Sequence, residues 1–331
     1  MGIVRVRGAE AVKFLQGQLS NDVTKLSSRL SQVAGFHNPQ GRTIALLRLV
    51  LRDSDDILAL VPRELASGVA ARLSKYVLRA KVKVADESAA WQVLGIVHRL
   101  SSPAAAGGTE GGASAADADE GDWPDTPESI GAQALVGCAL TVRISDQPPR
   151  WLAITPAGET PLLAYEPCDH AVWQQLEVAA GQPQVYAATS EEFVAQMLNL
   201  DSVGGIAFEK GCYTGQEVIA RAHYRGRVKR RMQRFVSREP RQLSPGDSGQ
   251  LADGRTFKVV LSAPLADGRC DFLAVASTVG ADVAANPVAP ASVAPTIAAA
   301  AALTSAAPPV NAAPVMVVDA AQMELPYPLP E

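Results

Sequence analysis

A chain of 331 residues, 47% hydrophobic and 19% charged, is long enough for about two or three globular domains with a sizeable core. Its formal net charge of −4 gives no whole-molecule attraction to nucleic acid or to an anionic membrane. The cysteines are widely spaced and form no CxxC pair, so we expect reduced thiols, no metal site and a cytoplasmic protein. Neither a signal peptide nor an apolar stretch long enough to span a bilayer is recognised, so no membrane partner is expected.

Residues 1–100 are interpreted as the first part of an α+β region. Ile3 to Val6 predict a short strand, and helically spaced apolar residues from Ala11 to Leu19 predict a helix. The remaining elements are strands at 31–37, 42–51, 57–61, 80–85 and 91–98 and a helix at 63–77. Because a helix lies among strands with hairpin-like connections, the order indicates an α+β fold rather than a doubly wound sheet.

Residues 101–122, rich in Ala, Gly, Ser, Asp and Glu, are interpreted as a flexible low-complexity insert. The second part of the α+β region occupies 123–235. Its expected elements are strands at 140–144, 151–154 and 162–165, a helix at 169–180, and a short helix at 190–198 capped by Ser190. Trp173 lies on the apolar stripe of the helix at 169–180, a position that by itself favours a core residue.

The C-terminal part, 236–331, predicts a small β-barrel. Its strands are expected at 248–252, 256–262, 270–279 and 315–318. The segment at about 281–314, rich in Ala and Pro, is interpreted as a disordered insert.

The segment Glu209–Arg221 predicts a tight turn that delivers Cys212 to the start of a helix. Thr214 and Glu217 have the spacing of a capping box, which places the helix start at Thr214. Lys210 and the helix N-terminus would both favour a thiolate at Cys212. The alternative is that Cys212 is a small buried residue in a structural turn.

The string Lys-Gly-Cys-Tyr-Thr-Gly-Gln-Glu at 210–217 resembles the signature of YgfZ-type folate-binding proteins. These are relatives of the aminomethyltransferase (T protein) of the glycine cleavage system. The similarity extends over roughly 196–235, and more weakly over the first 50 residues. The resemblance implies an aminomethyltransferase-like fold around a central folate cavity, with a C-terminal β-barrel.

The resemblance also implies a function and a set of site residues. The function is that of a tetrahydrofolate-binding accessory protein that supports assembly or repair of iron–sulfur clusters in client enzymes, including radical enzymes that modify tRNA. Cys212 would be the functional thiol, assisted by Lys210, and no independent turnover is expected. Trp173 would contact the bound tetrahydrofolate or its one-carbon derivative. The other expected folate contacts are Tyr213, Gln216, Glu217 and Arg221.

Two further positions follow from the same resemblance. Family members carry a lead-in before the first strand, which leaves a truncated or mis-assigned start open. A tryptophan that relatives place there against folate falls at Met1. The acidic pair of the aminomethyltransferases falls at Ala45 and Leu46, whose side chains cannot steer proton transfer.

Alternatives remain for the chemistry and for the cationic residues. Cys212 could serve a folate-dependent one-carbon transferase or, with His223, a hydrolase. Arg48 could face a ligand carboxylate, although solvent or a salt bridge is favoured. The basic run, which we define as Arg221, His223, Arg225, Arg227, Lys229, Arg230, Arg231 and Arg234, could bind the glutamate tail of folate, an acidic protein or RNA. Direct RNA binding is the weakest of the three because aromatic residues are sparse there.

Overall fold

The computed structural model describes residues 1–97, 127–159, 169–226, 228–278 and 315–330. Several predictions lie outside these ranges: the inserts at 101–122 and 281–314, the strand at 162–165, and Arg227 of the basic run.

The N-terminal region folds as an antiparallel five-stranded sheet with the strand order β2-β3-β4-β1-β5. The strands are β1 (Gly2–Arg7), β2 (Gln32–His37), β3 (Thr43–Asp53), β4 (Asp56–Val61) and β5 (Lys83–Asp86). One face is covered by α1 (Ala11–Gln16) and α2 (Arg63–Ser74), whose apolar residues share a core cluster with Ala45, Leu47 and Leu49 of β3.

The other face of this sheet packs against a second, four-stranded sheet with the order β6-β9-β8-β7. Its strands are β6 (Trp91–Val97), β7 (Gln133–Val136), β8 (Ala139–Asp146) and β9 (Pro149–Pro156). Val50 and Leu60 of the first sheet meet Val142 and Leu152 of the second in one buried cluster. Helix α3 (His170–Ala179) lies beside them and contributes Trp173 to the rim of that cluster.

The last sheet has six strands in the order β14-β11-β12-β13-β10-β15 and is nearly closed into a barrel. The strands are β10 (Arg230–Ser237), β11 (Ser248–Leu251), β12 (Thr256–Pro264), β13 (Cys270–Ser277), β14 (Val317–Val318) and β15 (Ala320–Met323). Only Asp319 separates β14 from β15, yet they pair with opposite edges of the sheet. These two consecutive strands thus cover both edges of the sheet, where backbone N–H and C=O groups would otherwise lack a strand partner.

The predicted α+β class and the barrel-like C-terminal sheet are confirmed. The short helix at 190–198 is wrong. That stretch contains one 3-10 turn at Ala195–Leu198, preceded by another at Ala187–Thr189. Glu191 and Asn199 take left-handed backbone angles, which interrupt a helix, and the Ser190 hydroxyl donates to Ile44 O instead of capping. The short strands β7 and β15 were not predicted.

Candidate functional site

A cavity of about 360 Å³ lies between the two N-terminal sheets and α3. We call it the interlayer cavity. Most of its wall is aliphatic, from Val33, Leu46, Leu60, Val93, Ile144 and Leu152. Its polar lining comes from Arg48 on β3, Asp169, His170 and Glu177 at the start of and along α3, and Gln182 and Gln184 after α3. A largely apolar pocket with a few polar groups is the usual form of a small-molecule site.

Trp173 lines the interlayer cavity and is partly exposed, rather than sealed in the core. Its six-membered ring packs on the backbone of Gly95, where a Cβ would lie 2.6 Å from Cζ3. The guanidinium of Arg150 sits 5.2 Å from the ring centroid. The indole is therefore held on two sides, which suits an aromatic contact for a flat ligand.

Two ionisable side chains of the cavity wall, Arg48 and Glu177, lie near a third, Arg150, which is buried behind the wall. Arg150, with a side chain 0% exposed, donates from Nη1 to Glu177 Oε1 at 2.5 Å. Its Nε and Nη2 have no hydrogen-bond partner in the part of the chain that the structure describes. Burial lowers the pKa of Arg48, as does nearby Arg150, while Glu177 acts in the opposite direction. Sequence reasoning missed the Arg150–Glu177 pair because its members are 27 residues apart with no local pattern to link them.

Arg48 does not have the surroundings that the sequence favoured. It is partly buried in the cavity wall, and within the described ranges it makes no hydrogen bond or ion pair. Arg48 therefore neither projects freely into solvent nor forms a salt bridge with a described residue, the two alternatives that the sequence had favoured. Strand β3 is buried on both faces, so its sequence lacks the alternation of polar and apolar residues that marks a half-exposed strand. The face on which Arg48 lies could therefore not be predicted.

Two positions singled out by the resemblance also reach the cavity. Met1, where relatives place a tryptophan, is part of the lining. Leu46, at one of the acidic positions of the aminomethyltransferases, is lining as well, whereas Ala45 is fully buried on the other face of β3. No carboxylate thus occupies either position.

Cys212 is exposed in the turn before α4 (Gln216–Tyr224), so the buried-cysteine alternative is wrong. The predicted capping box is also wrong. Gly215 is the N-cap residue, with φ of 82° and no side-chain cap hydrogen bond, and Glu217 pairs instead with Arg221 at 2.9 Å. Thr214 lies one position before the cap. Gly215 packs closely against the backbone of Asn38: a Cβ built at Gly215 would lie 2.5 Å from the Asn38 carbonyl oxygen. We infer that this tertiary contact, rather than a side-chain cap, sets where the helix starts.

Lys210 ties the cysteine turn to the N-terminal region. Its ammonium donates to the carbonyls of Gln16, Leu19 and Asn21 at 2.7, 2.6 and 2.9 Å. Burial lowers the pKa of Lys210 to about 8. All three N–H groups are used to hold the chain after α1, so Lys210 positions this turn in addition to any effect on Cys212.

The other predicted folate contacts lie outside the interlayer cavity. Tyr213 is 8% exposed, shares a core cluster with the cavity residue Leu46, and has its pKa raised to about 12 by burial. Gln216, Glu217 and Arg221 lie on α4 and do not line the cavity; nor does Cys212. Of the predicted site residues, Trp173 alone is part of the cavity wall described here.

Much of the basic run is engaged inside the protein. Arg231 forms a buried two-point ion pair with Asp201, at 3.0 and 2.9 Å, and Arg234 forms another with Asp271, at 3.0 and 2.7 Å. Arg225 and Lys229 are exposed. His223 stacks on Phe208 with ring centroids 3.7 Å apart. Among the described residues no hydrogen bond joins His223 to Cys212, which gives the hydrolase alternative no support.

Within the described ranges no three acidic, His or Cys side chains come together as a metal site. The helices seen there are all too short or too polar to cross a lipid bilayer.

Comparison with known proteins supports a single family. A tRNA-modifying protein YgfZ from Colwellia psychrerythraea is 32% identical over 69% of this chain and 67% of its own length. A second, from Edwardsiella ictaluri, is 30% identical over 83% of this chain and 82% of its own length. No protein-family model matches the chain.

Among solved structures, the glycine cleavage system aminomethyltransferase T from Bartonella henselae is similar. It superposes with a TM-score of 0.57, covering 83% of this chain and 76% of its own, at 13% sequence identity. At this identity the likeness establishes the fold alone, and it confirms the predicted aminomethyltransferase-like architecture.

Proposed function

The chain belongs to the YgfZ family of tRNA-modifying proteins, and from that premise we propose that it is a cytoplasmic tetrahydrofolate-binding accessory protein. It supports assembly or repair of iron–sulfur clusters in client enzymes, among them radical enzymes that modify tRNA. The observation that carries the proposal is the interlayer cavity, whose apolar wall holds a partly exposed tryptophan and an arginine that pairs with no residue in the described ranges.

The cavity residues fit tetrahydrofolate, which joins a reduced pterin, an aminobenzoyl ring and a glutamate. Trp173 offers a ring surface for one of the two ring systems. Glu177, Gln182 and Gln184 provide hydrogen-bonding groups for the polar edge of a pterin, and the aliphatic wall excludes water from the rings. The bound folate would supply nitrogen atoms able to carry a one-carbon unit.

Cys212 would act outside this cavity. Its exposure leaves it accessible to a macromolecular partner. A single thiolate does not hold an iron–sulfur cluster, which normally needs several thiolate ligands. Cys212 would therefore work together with thiols of a client enzyme or of glutathione. Tyr213 and Lys210 anchor the turn that presents it.

Two observations support this accessory role over a one-carbon transferase that uses Cys212. Leu46 lines the cavity at a position where aminomethyltransferases carry an acidic residue. Cys212 is not part of the cavity wall, so its thiol does not face the space in which folate is proposed to bind. A transferase predicts instead that methylene-tetrahydrofolate is consumed when acceptors are supplied.

Anaerobic titration with tetrahydrofolate tests the proposal. We expect saturable quenching of tryptophan fluorescence in the wild-type protein. Trp173→Phe should lose most of that quenching, and calorimetry should show affinity weakened by about 5- to 10-fold. Trp91→Phe is the matched control, because Trp91 lines a different pocket. Absence of saturable binding to the wild-type protein would remove folate from the proposal.

A further inference from the structure

Arg48 is a charge that pairs with no described residue, in a wall that is otherwise mostly aliphatic. It lies on β3 opposite Leu60 of β4 and Val33 of β2, both of which line the interlayer cavity. A partly buried cation that forms no ion pair is destabilising unless something pairs with it. The described residues provide no such group, so a bound molecule is the natural candidate.

The surroundings of Arg48 carry excess positive charge. Arg150 adds a second guanidinium, which is fully buried and has two nitrogens without a partner among the described residues. Glu177 is the carboxylate that pairs with Arg150. The two arginines and the one carboxylate therefore give this cluster a net charge of +1. Asp169 at the cavity rim is exposed, and its carboxylate accepts a hydrogen bond from Ala171 N at the start of α3. The cavity is therefore suited to a ligand that brings a negative charge.

The shape of a guanidinium indicates which kind of anion it binds best. Its planar fork matches a carboxylate through two parallel hydrogen bonds. The neighbouring Trp173 adds an aromatic contact, which indicates a ligand with both rings and a carboxylate. In the proposed folate ligand the carboxylates belong to the glutamate. Two of the arginines first considered for that glutamate are paired internally, Arg231 with Asp201 and Arg234 with Asp271.

Resting on the proposed function, we propose that Arg48 recognises a carboxylate of the folate glutamate. The cavity thereby selects glutamate-bearing reduced folates over free reduced pterins. Arg48 is a specificity residue of the site, and the exposed part of the basic run is not needed for this contact.

Calorimetry with two ligands tests the assignment. Wild-type protein should bind tetrahydrofolate at least 10-fold more tightly than 6-methyltetrahydropterin, which lacks the glutamate. Arg48→Gln should weaken tetrahydrofolate binding by about 10- to 100-fold and change pterin binding by less than about 2-fold. Arg52→Gln is the control, since Arg52 lies on the same strand but pairs with Asp56 outside the cavity, and it should change neither affinity.

The outcomes are separable. If Arg48→Gln binds tetrahydrofolate normally, or loses affinity equally for both ligands, the assignment of Arg48 is overturned while folate binding stands. If the wild-type protein binds neither ligand, the proposed function fails, and this inference fails with it. Arg48→Gln should also melt at or above the wild-type temperature, because it removes an unpaired charge. A markedly lower melting temperature would overturn the premise that Arg48 has no internal partner.

Discussion

Gly95 on β6 controls the position of Trp173, so replacing it with alanine should impair folate binding without removing any group that contacts the ligand. A Cβ built at this position lies 2.6, 2.7 and 2.8 Å from Cζ3, Cε3 and Cη2 of the indole. Carbon atoms in ordinary contact are about 3.5–4.0 Å apart, so the ring has to withdraw by roughly 1 Å. The φ of Gly95 lies outside the left-handed region, and the backbone accepts alanine.

The magnitude follows from the crowding and from the displaced ring. Overpacking of this kind costs about 1–3 kcal/mol of folding free energy. Loss of a well-placed aromatic contact costs about 0.5–1.5 kcal/mol of binding free energy, which weakens affinity about 2- to 10-fold. We therefore expect Gly95→Ala to melt several degrees lower than the wild-type protein and to bind tetrahydrofolate more weakly.

Calorimetric titration and thermal melting of Gly95→Ala measure both effects. Gly68→Ala is the matched control. Gly68 lies in α2, and apart from its chain neighbours and the nearby backbone of the helix itself no described atom lies within 4 Å of its built Cβ, so alanine should stabilise that helix slightly. A Gly95→Ala protein that binds tetrahydrofolate with wild-type affinity would refute the reasoning that Trp173 must lie against this strand for the ligand to bind.

Two further predictions concern the cysteine turn. In the folded protein the pKa of Lys210 is lowered to about 8 from the 10.5 of an unfolded chain, so the unfolded chain binds more protons between these pH values. The unfolding free energy of the wild type should therefore rise relative to Lys210→Met between pH 8 and 10.5, by about 1–2 kcal/mol after solvent screening. Urea unfolding of both proteins at pH 7.5 and 10 measures this, and a constant difference would contradict it. Gly215→Ala should destabilise by more than about 2 kcal/mol, because the left-handed backbone and the Asn38 carbonyl both oppose a Cβ. Thr214→Ala should cost less than about 0.5 kcal/mol, and chemical denaturation showing the reverse order would restore the capping box.

The strands and long helices could be predicted because burial on one or both sheet faces leaves a pattern in the local sequence. The expected strand at 42–51 and helix at 63–77 correspond to β3 (Thr43–Asp53) and α2 (Arg63–Ser74). The closure of the barrel could not be read in this way. It depends on β14 and β15 reaching opposite edges of a sheet whose other strands come far earlier in the chain.

The candidate site was only partly predictable, for the same reason. The motif located an exposed Cys212, and the segment after Asp169 located Trp173. The capping box matched in spacing, but the contact between Gly215 and Asn38 decides where the helix begins. The role of Lys210 depends on carbonyls 189 to 194 residues away, which no local pattern reports.

The central claim is that an exposed thiol beside a folate-binding domain serves iron–sulfur enzymes, and complementation by Cys212→Ser tests it most directly. The variant is expressed in cells that lack the protein, and thiomethylation of tRNA is measured by mass spectrometry. Cys138→Ser serves as the control, since Cys138 lies on the second sheet's β7–β8 turn, apart from the cysteine motif. We expect Cys212→Ser to fold, to bind tetrahydrofolate with wild-type affinity and to restore little thiomethylation, whereas Cys138→Ser restores it. Full restoration by Cys212→Ser would contradict the claim.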